Sequence, residues 1–371
     1  MSLRVLIIPD KFKGTLTARA ATEAIARGWR KWRPQDTLDP LPMSDGGDGF
    51  GEVMSALLRA RTRRIRTTDA AHRPCAAEWW WEPRTRTAII ESARIIGLAM
   101  LPPKRFHPFS LDTLGLGAVV RAAAKRGTLR CVIGIGGTAT NDAGFGLARA
   151  LGWQFLDRRA RVIERWTDLC QLDRIRPPRP RRLFVRTLVA TDVQNLLLGL
   201  RGASRVYGPQ KGLRAQDFPL AERCLDCLAR VVRRQFGRDF ARKPGAGAGG
   251  GLGFGLLAFL GAELKPGFAL FARHAGLQRR LRAADLVITG EGAIDRSTLM
   301  GKGVGEVARR CRELSIPCIG LSGIVKGGLG TRGSFAQTHA LTDLTTVRQA
   351  QAQPAHWLGR LAEKAARSMR V

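Results

Sequence analysis

A mixed α/β fold, with mostly parallel sheet and two domains, is predicted for this 371-residue chain from three observations. Short β-branched runs alternate with amphipathic helical stretches, the order that lays helices onto parallel strands. The joining loops are rich in glycine and aspartate, and 43 glycines suit a chain with many short loops. The length also exceeds what one hydrophobic core usually organises.

The elements follow in order. RVLIIPD (4–10) reads as a buried strand ended by Pro9 and Asp10. Residues 16–32 have helical spacing, with Thr15 or Thr17 as N-cap. MSDGGDGFGEVMSALLRA (43–60) is a Gly/Asp loop opening a helix. AAEWWWEP and TAIIESA read as two strands across a Pro-Arg turn, the tryptophans being packing residues. LGLGAVVRAAAKRG (114–127) is helical, LRCVIGIGG is a strand running into a loop, and DAGFGLARALG is the helix that loop opens. Residues 174–182, rich in Pro and Arg, read as an exposed loop. RTLVATDV (186–193) is a strand ending in an aspartate, residues 282–314 repeat strand, Gly/Asp loop and helix, and IPCIGLSGIV is a further strand.

Composition narrows the class. The N-terminus has an apolar run of only four residues before Pro9, too short for a signal peptide, and the uncharged run 244–262 is too glycine-rich to span a membrane. The expectation is a cytoplasmic protein with no membrane partner. Seven scattered cysteines fit reduced thiols, and the lone CxxC at Cys224 and Cys227 reads as two positions of one helix. A net charge of +32 admits a solvated arginine-rich surface, steering of small anions, or nucleic-acid binding. No nucleic-acid motif accompanies the charge, which disfavours the last. One local excess of arginine stands at 157–186.

Six loops carry the chemistry. They are 9–14 with Asp10, Lys11 and Lys13; 44–49 with Asp45 and Asp48; 136–142 with Gly136, Gly137, Thr138, Thr140, Asn141 and Asp142; 191–193 with Asp192; 290–295 with Gly290, Glu291 and Asp295; and 202–212 with Lys211. Glycine lets backbone N–H groups approach phosphate oxygens, lysine neutralises phosphoryl charge, and aspartate holds Mg²⁺ or orients a hydroxyl. Each loop alone is equally a tight turn with a capping aspartate. Neither GxxxxGK[ST] nor a complete dinucleotide fingerprint is present. Together the loops favour a phosphotransferase using a Mg-nucleotide over a hydride-transfer enzyme.

The ordered set resembles the bacterial type I glycerate kinase family. The resemblance rests on PDKFKGTLTA (9–18), SDGGDGF (44–50), GIGGTATNDAGFG (134–146), ATDVQNLLLGLRGASRVYGPQKG (190–212), the run 244–267, and LVITGEGAIDRSTLMGK (286–302), and covers essentially the whole chain. It implies ATP-dependent phosphorylation of D-glycerate, mostly at the 2-hydroxyl. Kinases for another small 2-hydroxy acid, or a basic nucleic-acid-binding protein on the same fold, are the alternatives. It also implies a discontinuous Rossmann-like domain, 1–105 plus 286–371, an inserted α/β domain, 106–285, and an active site in the cleft between them. Asp192, Asp45 and Asp295 are the catalytic carboxylates in that reading, Asp192 and Asp45 as Mg²⁺ ligands or partners of the acceptor hydroxyl. Lys13 and Lys211 contact phosphate or carboxylate, and 137–141 cradles an anion. Asp10, Lys11, Gly136, Gly290 and Glu291 complete the substrate and nucleotide set; the partners are ATP and D-glycerate, with the chain a monomer or homodimer. The chain departs from the family pattern at Lys11, 93–97, Leu196, Ala293 and 303–304. Ala293 replaces an arginine, which leaves Lys11 and Arg94 as candidates for the lost charge.

Overall fold

The computed structural model describes residues 2–295, 298, 303–325 and 335–369. It contains the strands β1 (Arg4–Pro9), β2 (Thr37–Pro40), β3 (Arg61–Thr68), β4 (Pro74–Glu82), β5 (Thr87–Glu91), β6 (Arg130–Gly134), β7 (Gln154–Asp157), β8 (Leu172–Arg176), β9 (Arg186–Ala190), β10 (Glu263–Lys265), β11 (Leu286–Ile294), β12 (Cys318–Val325) and β13 (Gln337–Ala340). The chain divides into two compact units, residues 1–45 with 268–371, and residues 46–267.

The first unit carries a five-stranded sheet in the order β13-β12-β11-β1-β2, and every pairing is parallel. Strand β1 is short and apolar because both its faces are covered, the expected sequence of a strand inside a parallel sheet. Val5 and Ile7 pack with Ile25 and Trp29 of the helix Ala18–Arg30, and with Leu358 and Leu361 of the helix Pro354–Ser368. Thr17 caps the first of these helices, its hydroxyl accepting from Ala20 N at 3.1 Å, so Thr17 rather than Thr15 takes that role.

The second unit has a six-stranded mixed sheet, β10-β9-β6-β5-β4-β3, parallel from β10 to β5 and antiparallel from β5 to β3. A separate antiparallel pair, β7 and β8, lies outside it. Its core includes Trp79, Ile90, Val120, Ile133, Phe145, Phe155 and Phe259. The stretch 46–105 belongs here, because Thr87 to Glu91 pair in register with Arg130 to Gly134. The expected boundaries at 105/106 and 285/286 are therefore corrected to 45/46 and 267/268. Strand pairing decides this: β5 completes its backbone hydrogen bonds only beside β6. The segment 174–182 is likewise not wholly a loop, since β8 takes residues up to Arg176.

Candidate active site

In parallel α/β sheets ligands gather at the carboxyl ends of strands. In the first unit those ends bring three acidic residues together. Beyond β2 the chain runs alongside β1, Leu41 N donating to Ile7 O at 2.8 Å and Met43 N to Pro9 O at 3.0 Å, which carries Asp45 to Asp10. Asp10 N donates to Gly290 O at 2.8 Å, which sets Glu291 on the other side. Burial, then the charges of Asp45 and Glu291, push the Asp10 carboxyl up to about 7, against a hydrogen bond from Lys11 N and the Lys11 charge. Asp10 does not cap the following helix, a role that Thr17 takes.

Two residues not singled out from the sequence complete this group. Thr298 donates to Glu291 Oε1 at 2.8 Å and accepts from Asp295 N at 3.1 Å, linking those two acidic residues. Ser322 pairs in register with Glu291, is fully buried, and its hydroxyl has no hydrogen-bond partner. Lys11 is half-buried beside Asp10, while Lys13 is exposed. Ala293 lies opposite Ile324, and Gly301 and Lys302 lie outside the described residues.

In the second unit the 134–146 loop leaves β6 and is held from several sides. Leu98 N donates to Gly137 O at 2.9 Å, Ala139 N to Ile96 O at 2.9 Å, and Ala143 N to Gly250 O at 3.1 Å. Gly137 has φ +72°, and a Cβ there would come within 2.1 Å of Asp48 Oδ1, so only glycine fits. Asp142 is fully buried and accepts from Thr113 N, Thr113 Oγ1, Gly144 N and Gly146 N. Burial and the Asp112 charge raise its carboxyl to about 6. Asp142 therefore builds the turn, the plainer of the two roles open to it.

Thr138, Thr140 and Asn141 are different. All three are buried, yet Thr138 Oγ1, Thr140 Oγ1 and Asn141 Oδ1 have no hydrogen-bond partner. Such atoms are costly unless a ligand or water satisfies them. Asn141 is oriented by donating its Nδ2 to Ser204 Oγ at 2.9 Å, and Ser204 is a third residue that sequence reasoning missed. Beside them the buried Lys211 donates its Nζ to Thr140 O at 2.6 Å. Burial lowers its ammonium to about 7, opposed by the Asp142 charge. Asp192 lies exposed past the end of β9, next to β6, with Oδ1 accepting from Gly267 N at 3.1 Å. Arg94 forms a 3.2 Å ion pair with Glu78 and stacks over Trp80 at 5.4 Å, so its guanidinium already has partners.

Among the described residues no three His, Cys, Asp or Glu side chains converge as a metal site. Among the described residues no helix is long and apolar enough to cross a membrane. Glycine loops, strand-end carboxylates and a buried lysine on an α/β frame define a phosphotransferase-like architecture.

The chain belongs to the glycerate kinase family, whose model matches residues 5–370, and it is thereby a kinase. It is 36% identical over 329 residues to a glycerate kinase of Halalkalibacterium halodurans, covering 87% of this chain and 86% of that protein. It is 34% identical over 363 residues to the glycerate 2-kinase of Escherichia coli, covering 94% and 93%. A crystal structure of a putative glycerate kinase 2 from Salmonella typhimurium LT2 is 30% identical, with a TM-score of 0.85, covering 99% of this chain and 98% of that one.

Proposed function

We propose that this protein transfers the terminal phosphoryl group of ATP to the 2-hydroxyl of D-glycerate, giving 2-phosphoglycerate. The observation that carries this is the 137–141 loop, where three buried polar atoms lack partners beside a buried lysine. An anionic group bound there satisfies the threonine hydroxyls and faces the Lys211 ammonium. The E. coli relative named glycerate 2-kinase supports the 2-position.

In phosphoryl transfer the protein mostly positions groups and neutralises charge. Thr138, Thr140 and Lys211 bind an anion, phosphate or the glycerate carboxylate. Asp192 orients the acceptor hydroxyl and takes its proton. Asp10, raised to about 7 by burial and by the charges of Asp45 and Glu291, changes its own charge near neutral pH beside the nucleotide. Asp45 and Asp192 are each a candidate Mg²⁺ ligand, since a carboxylate or two plus substrate phosphates is the usual Mg²⁺ arrangement. When bound, the ion neutralises charge on the phosphates. Asp295, Glu291 and Gly290 line the nucleotide side with Lys11 and Lys13, and Gly136 and Gly137 let the loop backbone approach its ligand.

The test is ADP formation from Mg-ATP with and without D-glycerate, with the product assigned by ³¹P and ¹H NMR. Glycerate-dependent turnover to 2-phosphoglycerate is expected. Turnover to 3-phosphoglycerate overturns the position, and turnover only with another 2-hydroxy acid overturns the acceptor.

A further inference from the structure

The arginine excess at 157–186 plays no part in the reaction above, and in the second unit three of its arginines line a cavity. A cavity of about 1060 Å³ opens between the β7–β8 pair and the helix Phe218–Phe236. Its lining includes Arg158, Arg159, Arg161, Arg230, Arg233 and Arg234, against only Asp157 and Asp173. Two distant stretches of chain supply these guanidiniums. Arg158, Arg159 and Arg161 come from the turn after β7, which Asp157 fastens by accepting from Arg159 N and Arg161 N at 2.8 and 2.9 Å. Arg230, Arg233 and Arg234 share one exposed face of the helix, set by the helical repeat, while Val231 and Val232 are buried in the core.

Neutralisation of these cations is partial: Arg161 pairs with Asp157 and Arg230 with Asp226, each at 2.9 Å, and the other four are held loosely or not at all. Arg158 and Arg159 have no acidic partner among the described residues. Arg234 meets Asp173 at 3.7 Å, Arg233 meets Asp239 at 4.0 Å, and both guanidiniums are more than half exposed. Exposed pairs of this kind contribute about 0–1 kcal/mol, so an incoming anion exchanges them at little cost. A smaller cavity of about 380 Å³ shares Arg230 and Arg233 and continues the basic surface along the helix.

We propose that this cavity is a binding site for a small polyanion built on a phosphoanhydride chain, either inorganic or the phosphate tail of a nucleotide. Its volume is of the order of a small-molecule site, roughly 300–1000 Å³. Guanidinium forks bind phosphate oxygens in pairs, and several converging forks match a ligand with charges spaced along a chain. Single-stranded nucleic acid is the poorer match, because neither cavity is lined by an aromatic ring on which a base could stack. Trp153 and Phe236 lie nearby, but Arg181 covers both rings.

The experiment is calorimetric titration of the full chain with inorganic tripolyphosphate, with ATP, and with a single-stranded oligonucleotide, at low and moderate salt. Two double variants are compared with the parent: Arg158→Gln with Arg159→Gln, and Arg230→Gln with Arg233→Gln. All four side chains are exposed and lie outside the catalytic set, so folding and glycerate turnover are expected to stay at the parent level. Tripolyphosphate is expected to bind the parent saturably, with Kd rising at least about tenfold in both variants. A loss shared by tripolyphosphate and ATP assigns the site to the phosphate chain, and a loss confined to ATP assigns it to a nucleotide. Unchanged affinity for both ligands in either double variant overturns the site, since binding then lies elsewhere, as at Lys211. Tighter binding of the oligonucleotide, lost in the same variants, overturns the ligand class.

Discussion

Lys211 and Thr140, 71 residues apart in sequence, meet through a 2.6 Å hydrogen bond from the lysine Nζ to the threonine carbonyl oxygen. That contact joins the GPQKG helix end to the glycine-rich loop and leaves the Thr140 hydroxyl without a partner. Burial lowers the ammonium to about 7 from the ordinary 10.5. A lysine so depressed is bound less tightly to its proton in the folded chain than in the unfolded one. Stability then rises as pH climbs from about 7 toward 10.5, because only the unfolded chain still holds the proton. Denaturant unfolding of the parent and of Lys211→Met across that range is expected to show the rise in the parent and a flatter profile in the variant. Parallel profiles would remove the buried, depressed lysine.

Anion binding beside Lys211 favours its charged form. Binding of a phosphate-bearing substrate near pH 8 is therefore expected to take up a proton, seen as a calorimetric enthalpy that changes with buffer ionisation enthalpy. Lys211→Met is expected to abolish that dependence. A parent enthalpy independent of buffer would place the anion away from Lys211.

Gly250 tests how tightly the loop is held. Its φ is +70°, and a Cβ there would lie 1.9 Å from Thr140 O and 2.8 Å from Lys211 Nζ. Gly250→Ala is expected to destabilise by about 2 kcal/mol or more and to depress activity. Gly237 is the control: its φ is +67° but a Cβ meets nothing within 4 Å. Gly237→Ala is expected to cost only the left-handed backbone, about 1 kcal/mol, with activity unchanged. Equal costs for the two would show that the Thr140 contact yields without penalty.

Asp45 raises Asp10 by like charge, second only to burial. In Asp45→Asn the Asp10 carboxyl is expected to titrate below about 7 while staying above its ordinary range, since burial persists. A ¹³C NMR titration of the aspartate carboxyls reads this directly, with no need for activity. An unmoved Asp10 would separate the two carboxylates.

Asp192→Asn keeps an oxygen able to accept from Gly267 N, so the fold is expected to hold. A loss of about 100-fold in kcat is expected, with little change in thermal midpoint, if the carboxylate takes the hydroxyl proton. Full activity would remove that role.

Local rules account for what was legible in the chain. The apolar run at 4–9, the cap at Thr17 and the glycine-aspartate loops after strands declare themselves through near-neighbour geometry, and so did the alternation that makes an α/β fold. Several assignments were beyond that reach. Ser322 is an ordinary strand residue until the register of the parallel sheet sets it opposite Glu291. Thr298 gains its meaning only when β11 sets Glu291 within 2.8 Å of its hydroxyl. Arg94, a candidate replacement for a missing charge, is occupied by Glu78 and Trp80 from a strand earlier in the chain.

By itself, then, the sequence determined the α/β class, the placement of the loops and the residue types able to handle anions, because propensity and turn chemistry act over a few residues. Tertiary structure alone decided that 46–105 joins the middle unit, that Thr140 receives the Lys211 ammonium, and that arginines more than 70 residues apart share one cavity. Those outcomes depend on sheet register and on which faces are buried together. Both are settled by packing across the whole unit, through contacts between residues far apart in the chain.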